Sequence, residues 1–471
     1  MTKVIGIDLG TTFSAIASLD DLGNPEVLAS IEDNRKITAS AVYLKDNEVI
    51  VGDKALTYLK DQSNNVILQT KREMENDVVY STDQGKWVSD TDLVDAYTPA
   101  QVSALILKKL KEYTSDVKKV VITVPAMFAE KARQATLDAA KIADLEVIEL
   151  INEPTAAVLH YASLPGVEVG GRVMIFDLGG GTFDVTFAEV KNKKVDVLTS
   201  RGDKYLGGRD FDNEITKLMK KKYFDIHNVE IDIENNKQYL HKAEEIKKIL
   251  SVKDKANIEI NGPKGLQKIE ITQDEFEESI QTYIEKIKML IEEAMDASGM
   301  NPSRINQTLL VGGSTRMPII TKVLTQLMGK APVKGVNVDE AVVCGAAIYA
   351  GLKTEKETLS DEQQEALKDV NLTDVCNFYM GTLAYVTDNH TNRKVVANTI
   401  IIERDAKLPV SVTKRYTTIS EGQEELECNV TQSEGPEDNK EFVNIIHEEM
   451  LKLPKGRPAN QPIDITYSYD E

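Results

Sequence analysis

Short apolar runs that end in an aspartate and a glycine turn recur along this chain. The first is Val4-Ile5-Gly6-Ile7 and the second Val173-Met174-Ile175-Phe176, each continuous enough for a strand buried on both faces. Ala41-Val42-Tyr43-Leu44 and Val49-Ile50-Val51 read as further strands, and Pro99 to Tyr113 carries apolar residues at helical spacing. Val120-Val121-Ile122-Thr123-Val124-Pro125 predicts another buried strand, then a helix over 129–144 and a strand over 145–151. Asn152-Glu153-Pro154-Thr155 leads into a helix at Ala156, with proline near its first turn. A turn at Gly170-Gly171 then restarts the plan, with strand alternation through Val185, Thr186 and Phe187. Helices follow over 211–224 and 236–250, then a strand pair around Ile258 and Ile269. One helix over 274–298 places Ile280, Ile284, Ile287, Ile291 and Met295 on a single face. Thr308-Leu309-Leu310-Val311 feeds a third glycine turn, Gly312-Gly313-Ser314-Thr315-Arg316. Strands and helices alternating in two similar halves predict an α/β fold.

The pattern changes at Thr354. Residues 354–372 are charged and glutamine-rich, which predicts a helix end and an interdomain connection. Beyond Asp374 the runs 395–402, 408–412, 415–419, 426–430 and 463–467 alternate as strands between turn residues. The chain stops at Tyr469-Asp470-Glu471, so this β region is expected to be unfinished.

With 471 residues, 41% of them hydrophobic, there is material for several domains with real cores. A net charge of −20 disfavours nonspecific binding to nucleic acid or an anionic membrane, and an anionic ligand would need local cations or a metal ion. Met1-Thr2-Lys3 leads straight into a strand with no signal-like region, and no apolar run approaches about 18 residues. Cys344, Cys376 and Cys428 are widely spaced and the five histidines lack ligand spacing, which suits a cytoplasmic setting and leaves any metal to carboxylates.

The candidate chemistry lies in the hairpins Gly6-Ile7-Asp8-Leu9-Gly10-Thr11-Thr12 and Asp177-Leu178-Gly179-Gly180-Gly181-Thr182-Phe183-Asp184. Glycine lets backbone N–H groups approach phosphate oxygens, threonine adds hydroxyls, and aspartate can hold the water shell of magnesium. Two facing copies would form a phosphate clamp, and neither GxxxxGK[ST] nor GxGxxG occurs to offer another one.

Together, Ile5 to Thr12, Val124 to Phe128, Ile151 to Ala157, Asp177 to Asp184, Gly207 to Asn213 and Val311 to Pro318 resemble the ATPase domain of the seventy-kilodalton heat-shock (DnaK-type) chaperones. The resemblance runs colinearly from residue 3 to about 355, and Leu372-Thr373-Asp374-Val375-Cys376 and Leu453-Pro454-Lys455-Gly456 extend it, nearest to the HscC-type branch. It implies an actin-like ATPase fold of two duplicated lobes over 1–355, divided near 170, a linker over 356–373 and a partial antiparallel β-sandwich over 374–471. It implies a stress-response chaperone that hydrolyses ATP to ADP with magnesium, and with potassium as an optional second ion, to control binding of extended apolar peptides. Its partners would be a J-domain co-chaperone and a nucleotide exchange factor.

By the same resemblance Gly10, Thr11, Thr12, Gly179, Gly180, Gly181 and Thr182 contact phosphate, and Asp8, Glu153 and Asp177 surround hydrated magnesium. Lys71 orients the attacking water, with Glu153 beside it. Gly207, Glu244, Lys247, Lys248, Ser251, Gly312, Gly313, Ser314, Arg316 and Asp339 complete the nucleotide pocket. Lys248 stands where the family often carries an arginine that stacks on adenine, which predicts weaker nucleotide affinity. Pro125, Arg133 and Asp374 would couple the ATP and peptide sites, and Glu149 reverses a charge that helps dock the J-domain. Val370-Asn371-Leu372-Thr373 is more polar than the family's linker, which predicts weaker docking. Tyr416, Ile419, Leu426, Cys428 and Val430 are the candidate wall of a peptide cleft. A small-molecule kinase and an actin-like filament former are the rival readings. The first would show phosphate transfer to a sugar exceeding transfer to water, the second ATP-driven scattering.

Overall fold

The computed structural model describes residues 4–46, 48–61, 63–115, 117, 119–164, 171–234, 236–333, 337–387 and 392–470. In the first half Ile5–Leu9 and Phe13–Leu19 form an antiparallel hairpin. Lys119–Val124 lies parallel beside Ile5–Leu9, and Glu146–Asn152 lies parallel outside that. In the second half Gly171–Leu178 and Phe183–Lys191 form the matching hairpin, with Gln307–Val311 parallel to its first strand and Lys194–Asp203 antiparallel to its second. The first strand of each hairpin is an interior strand of its sheet, with Asp8 and Asp177 at corresponding places one residue before its end. The Gly170 side of the expected turn between halves lies outside the described residues.

Two helices, Glu153–Ser163 and Ala341–Lys353, join the halves through one shared apolar core. Their crossing is close because of glycine: a Cβ on Gly345 would lie 1.7 Å from the Ala156 carbonyl oxygen. Ala341 to Gly351 is buried throughout, which is why this segment is apolar on every side and carries no clear stripe.

The expected helix over 274–298 is interrupted. Gln273–Ser279 and Gln281–Ser298 are separate helices, with Ile280 between them at φ −97°, ψ 5°. The Ser279 hydroxyl donates to the Phe276 carbonyl at 2.7 Å, and the Ile280 N–H reaches the same oxygen only at 3.3 Å. A side chain competing for the helical acceptor loosens the turn there. The strand pair is Lys255–Gly262 with Gly265–Thr272, and Ile258 faces Ile269 across it.

The charged connection contains a short helix, Asp361–Leu367, opened by a Ser360 and Gln363 capping box. Asn371–Thr373 then adds to the second half's sheet as a parallel edge strand against Lys194, Val195 and Asp196. Leu372 is buried there, so one apolar side chain and the ladder seat this segment despite its polar neighbours.

The last part is β. Lys394–Ile402, Tyr379–Thr387, Glu425–Ser433 and Asn444–Lys452 form one antiparallel sheet in that order, and Val410–Thr417 pairs with Pro462–Tyr469 as a ribbon. The runs predicted over 408–412 and 415–419 merge into the single strand Val410–Thr417. Asn444–Lys452 carries no alternating burial signal because it is an outer strand, mostly exposed on both faces. The β core of Phe378, Met380, Ile401, Ile402 and Leu408 also takes in Met127 and Ala129 from the first half, so the β region is packed onto the lobes.

Candidate active site

Between the two halves lies a cavity of about 1090 Å³, and both hairpins reach it: Asp8, Gly10, Thr11 and Thr12 from one, Asp177, Gly179, Gly180 and Thr182 from the other. The hairpins touch. A Cβ on Gly180 would lie 1.9 Å from Thr12 Oγ1, and one on Gly181 would lie 2.5 Å from Thr11 Oγ1. Gly181 and Gly207 stand behind this surface, and a Cβ on Gly207 would run into the backbone of Gly180 and Gly181. Ser314 Oγ donates to the Gly179 carbonyl at 3.0 Å, which ties the third glycine turn to the second hairpin. The first hairpin is braced by Ser40, which donates to the Gly10 carbonyl at 2.8 Å, and by Ser14, which accepts from the Gly10 N–H.

Acids gather at the floor. Lys71 is buried and ion-paired with Glu153, while the Thr123 hydroxyl donates to Asp8 at 2.9 Å. Burial, with Glu153 adding to it, pushes Asp8 up to about 6 against the pull of Lys71. Asp177 is raised well above the usual carboxylate range by burial, Glu153, Asp184 and Asp8. Burial and Glu153 lift Asp184 to about 8 against the pull of Lys71 and of the Ala126 and Met127 backbone N–H groups. One ammonium thus faces four carboxylates, an imbalance that a hard cation relieves. Among the described residues no three acidic, imidazole or thiol groups are arranged to ligate one ion directly.

The opposite end of the cavity is lined by Glu244, Lys247, Lys248, Ser251, Gly312, Gly313, Ser314, Arg316 and Asp339. Lys247 is buried, ion-paired with Asp212 at 2.7 Å and donating to the Gly208 carbonyl at 2.7 Å, so it stiffens this wall. Lys248 pairs with Glu244 at 2.7 Å and lies 5.6 Å from the ring centre of Phe13 across the cleft. Burial would raise Glu244, but Lys248 and Lys247 together draw it below the ordinary range. Arg316 grips Asp339 with both arms, at 2.8 and 2.6 Å.

Pro125, Arg133 and Asp374 lie along one polar chain. The Pro125 carbonyl accepts from the Phe128 N–H, Arg133 donates to the Phe128 carbonyl and to Asn152 Oδ1, and Asn152 Nδ2 donates to Asp374. Thr155 also donates to Asp374, whose carboxyl burial raises against the pull of these donors and of Arg133. Glu149 binds the Tyr349 hydroxyl at 2.8 Å and Lys353 at 3.1 Å. In the β region Leu426, Cys428 and Val430 share one half-buried face of a strand, with Val430 against the core. Tyr416 sits on the ribbon, its hydroxyl 2.7 Å from that of Thr399, and Ile419 lies 46% exposed beyond the ribbon's end.

Sequence reasoning missed several participants. Arg72 clamps the halves together, holding Asp210 with both nitrogens and donating to the Gly181 carbonyl at 3.0 Å. Arg201 joins lobe to β region by pairing with Asp405 at 2.8 Å and Glu293 at 2.9 Å. Asn152 links the acid floor to Asp374; its place just before Glu153 was the available signal.

Facing glycine hairpins over an acid floor, on two duplicated halves, define a nucleotide-hydrolysing machine of actin-like architecture. Residues 4–470 match the family described as Hsp70 protein. The chain is 34% identical over 497 residues to Chaperone protein dnaK of Thalassiosira pseudonana, covering 99% of this chain and 78% of that protein. It belongs to the Hsp70 family, and it is accordingly an ATP-dependent molecular chaperone and an ATPase, as the sequence resemblance implied. Hsp70 proteins bind nucleotide with magnesium and act on peptides with J-domain and exchange-factor co-chaperones. Among the described residues no helix is long and apolar enough to cross a membrane.

Proposed function

We propose that the cleft holds magnesium ATP with its phosphates between the two hairpins and its nucleoside between Lys248, Ser251, Gly313 and Arg316. The observation that carries this reading is the contact of Thr11 and Thr12 with Gly181 and Gly180 over a single cavity floored by Asp8, Glu153 and Asp177. Backbone N–H groups of Thr11, Thr12 and Gly180 to Thr182 orient the triphosphate, while the Gly10 and Gly179 N–H groups close the hairpins onto Ser14 and Thr182, and Asp8, Glu153 and Asp177 hold the ion's water shell. Bound magnesium supplies charge neutralisation at the phosphates. Lys71, fixed by Glu153, orients the attacking water, and Asp184 steadies the floor from behind. Hydrolysis of this kind relies on positioning and charge more than on covalent steps.

Residues 1–355 form the nucleotide unit, 356–373 the linker and 374–471 the peptide-binding unit. The chain Glu153, Asn152, Asp374 carries the coupling: closure of the lobes on ATP keeps Asn371–Thr373 in the sheet, and hydrolysis releases it for peptide capture at Leu426, Cys428 and Tyr416. The three free cysteines favour a cytoplasmic setting, and Glu149 calls for a J-domain partner that presents a cation. The test is steady-state ATPase with and without an unfolded apolar peptide, in wild type and Lys71→Ala. Peptide stimulation lost in the variant is expected. Turnover unchanged by Lys71→Ala would overturn the assignment.

A further inference from the structure

Among the described residues Arg209 makes no side-chain hydrogen bond or ion pair, in a cleft where Lys71, Lys247, Lys248 and Arg316 are each ion-paired. It is the second residue of the helix Gly208–His227, and its backbone N–H donates to the Gly180 carbonyl at 2.8 Å, directly behind the second hairpin. Its side chain lines the cavity. Among the described residues no carboxylate or carbonyl takes a hydrogen bond or an ion pair from its guanidinium. The acids around it are committed elsewhere: Asp210 to Arg72, and Asp212 to Lys247. Lys237 donates to the carbonyls of Ser63 and Val66, at 3.1 and 2.8 Å, and to the Tyr80 hydroxyl. Burial and then the charge of Arg209 push Lys237 down to about 7, which places both cations in reach of the same space. Burial and the charge of Arg72 lower Arg209 in turn, against the pull of Asp210, Glu73 and Asp212; Arg72 and Glu73 belong to the turn that carries Lys71, so Arg209 stands near that turn.

An unpaired guanidinium, partly desolvated at the edge of a cavity and crowded by two like charges, is a ready partner for an oxyanion, which its planar fork can take in two hydrogen bonds. The acid floor repels phosphate except where an ion intervenes, so a cation lining the same cavity adds to the neutralisation. We propose that Arg209 is a phosphate-contact residue that takes the outermost phosphate of the bound nucleotide, an inference resting on the nucleotide reading of this cleft. Inorganic phosphate left after hydrolysis presents the same oxygens, so the residue would hold it too.

The experiment titrates a non-hydrolysable ATP analogue, ADP, and ADP with inorganic phosphate into wild type, Arg209→Gln and Arg209→Lys. The readouts are calorimetry and the fluorescence of Trp87, the single tryptophan, which lines the cavity. Arg209→Gln is expected to weaken the triphosphate by about tenfold or more and ADP by less than about threefold, the loss of one charge-assisted contact. Arg209→Lys should fall between. Phosphate that tightens ADP in wild type and not in Arg209→Gln would extend the role to the product; phosphate without effect in either would confine it to the nucleotide. Equal losses for ATP analogue and ADP, or no loss, would overturn the inference. A wild type that binds neither would instead overturn the nucleotide reading, and this inference with it.

Discussion

Gly207→Ala isolates how closely the phosphate hairpin must be held. Gly207 has φ −171°, extended backbone that alanine adopts freely, so only space opposes the change. The new methyl carbon would lie 2.7 Å from both the nitrogen and the carbonyl carbon of Gly181 and 2.8 Å from the carbonyl carbon of Gly180. All three are backbone atoms, so the hairpin has to retreat by roughly 0.7 Å to reach ordinary contact. On its far side it already meets Thr11 and Thr12, so the retreat forces the two hairpins apart. Misplacement on the order of 1 Å costs about a hundredfold where rate depends on positioning. Gly207→Ala should therefore slow single-turnover ATP hydrolysis by about 30- to 100-fold, while overpacking lowers stability by only about 1–3 kcal/mol. The assay is rapid-quench hydrolysis with protein in excess of ATP, beside a thermal melt. A folded variant hydrolysing within about threefold of wild type would refute the claim that hairpin position limits the reaction.

Lys71→Ala should reduce hydrolysis by about a hundredfold or more while calorimetry still detects ATP, because the ammonium is assigned to water and not to the nucleotide. Lys248→Arg should tighten nucleotide binding through better stacking on adenine; calorimetry giving equal affinities would remove that idea. Lys237 titrates at about 7 when folded, against 10.5 as an ordinary lysine. Between those values the folded chain binds fewer protons than the unfolded one, so this residue's contribution to stability rises with pH across that window. Thermal melts of Lys237→Met should lack that rise. Asp405→Ala leaves the buried Arg201 with Glu293 as its remaining carboxylate beside the Thr199 hydroxyl and the Ser200 carbonyl; breaking such a pair costs about 3–5 kcal/mol, and protease cleavage within 356–373 should quicken in ATP-saturated protein.

Both hairpins and the acids at their ends were legible because each is a local device: an apolar strand, an aspartate, a glycine turn and a threonine lie within about ten residues of chain. The same holds for the crossover helices and for most strands of the β region. The helix break at Ile280 was not legible, since a serine hydroxyl's choice between solvent and the Phe276 carbonyl leaves no mark on apolar periodicity. Nor was the strand Asn444–Lys452, an outer strand mostly exposed on both faces and so without apolar-polar alternation.

What the order of residues determined alone is the duplicated α/β plan and the chemistry carried by each hairpin, because backbone sterics and short-range burial act within a few residues. The tertiary structure alone decided which polar groups meet: Arg72 with Asp210, Arg201 with Asp405, Asn152 with Asp374, and the Arg209 side chain, among the described residues, with none. Those choices depend on how segments far apart in the chain pack, and a charged side chain reads the same in sequence whether its counter-ion is an acid, water or a ligand yet to arrive.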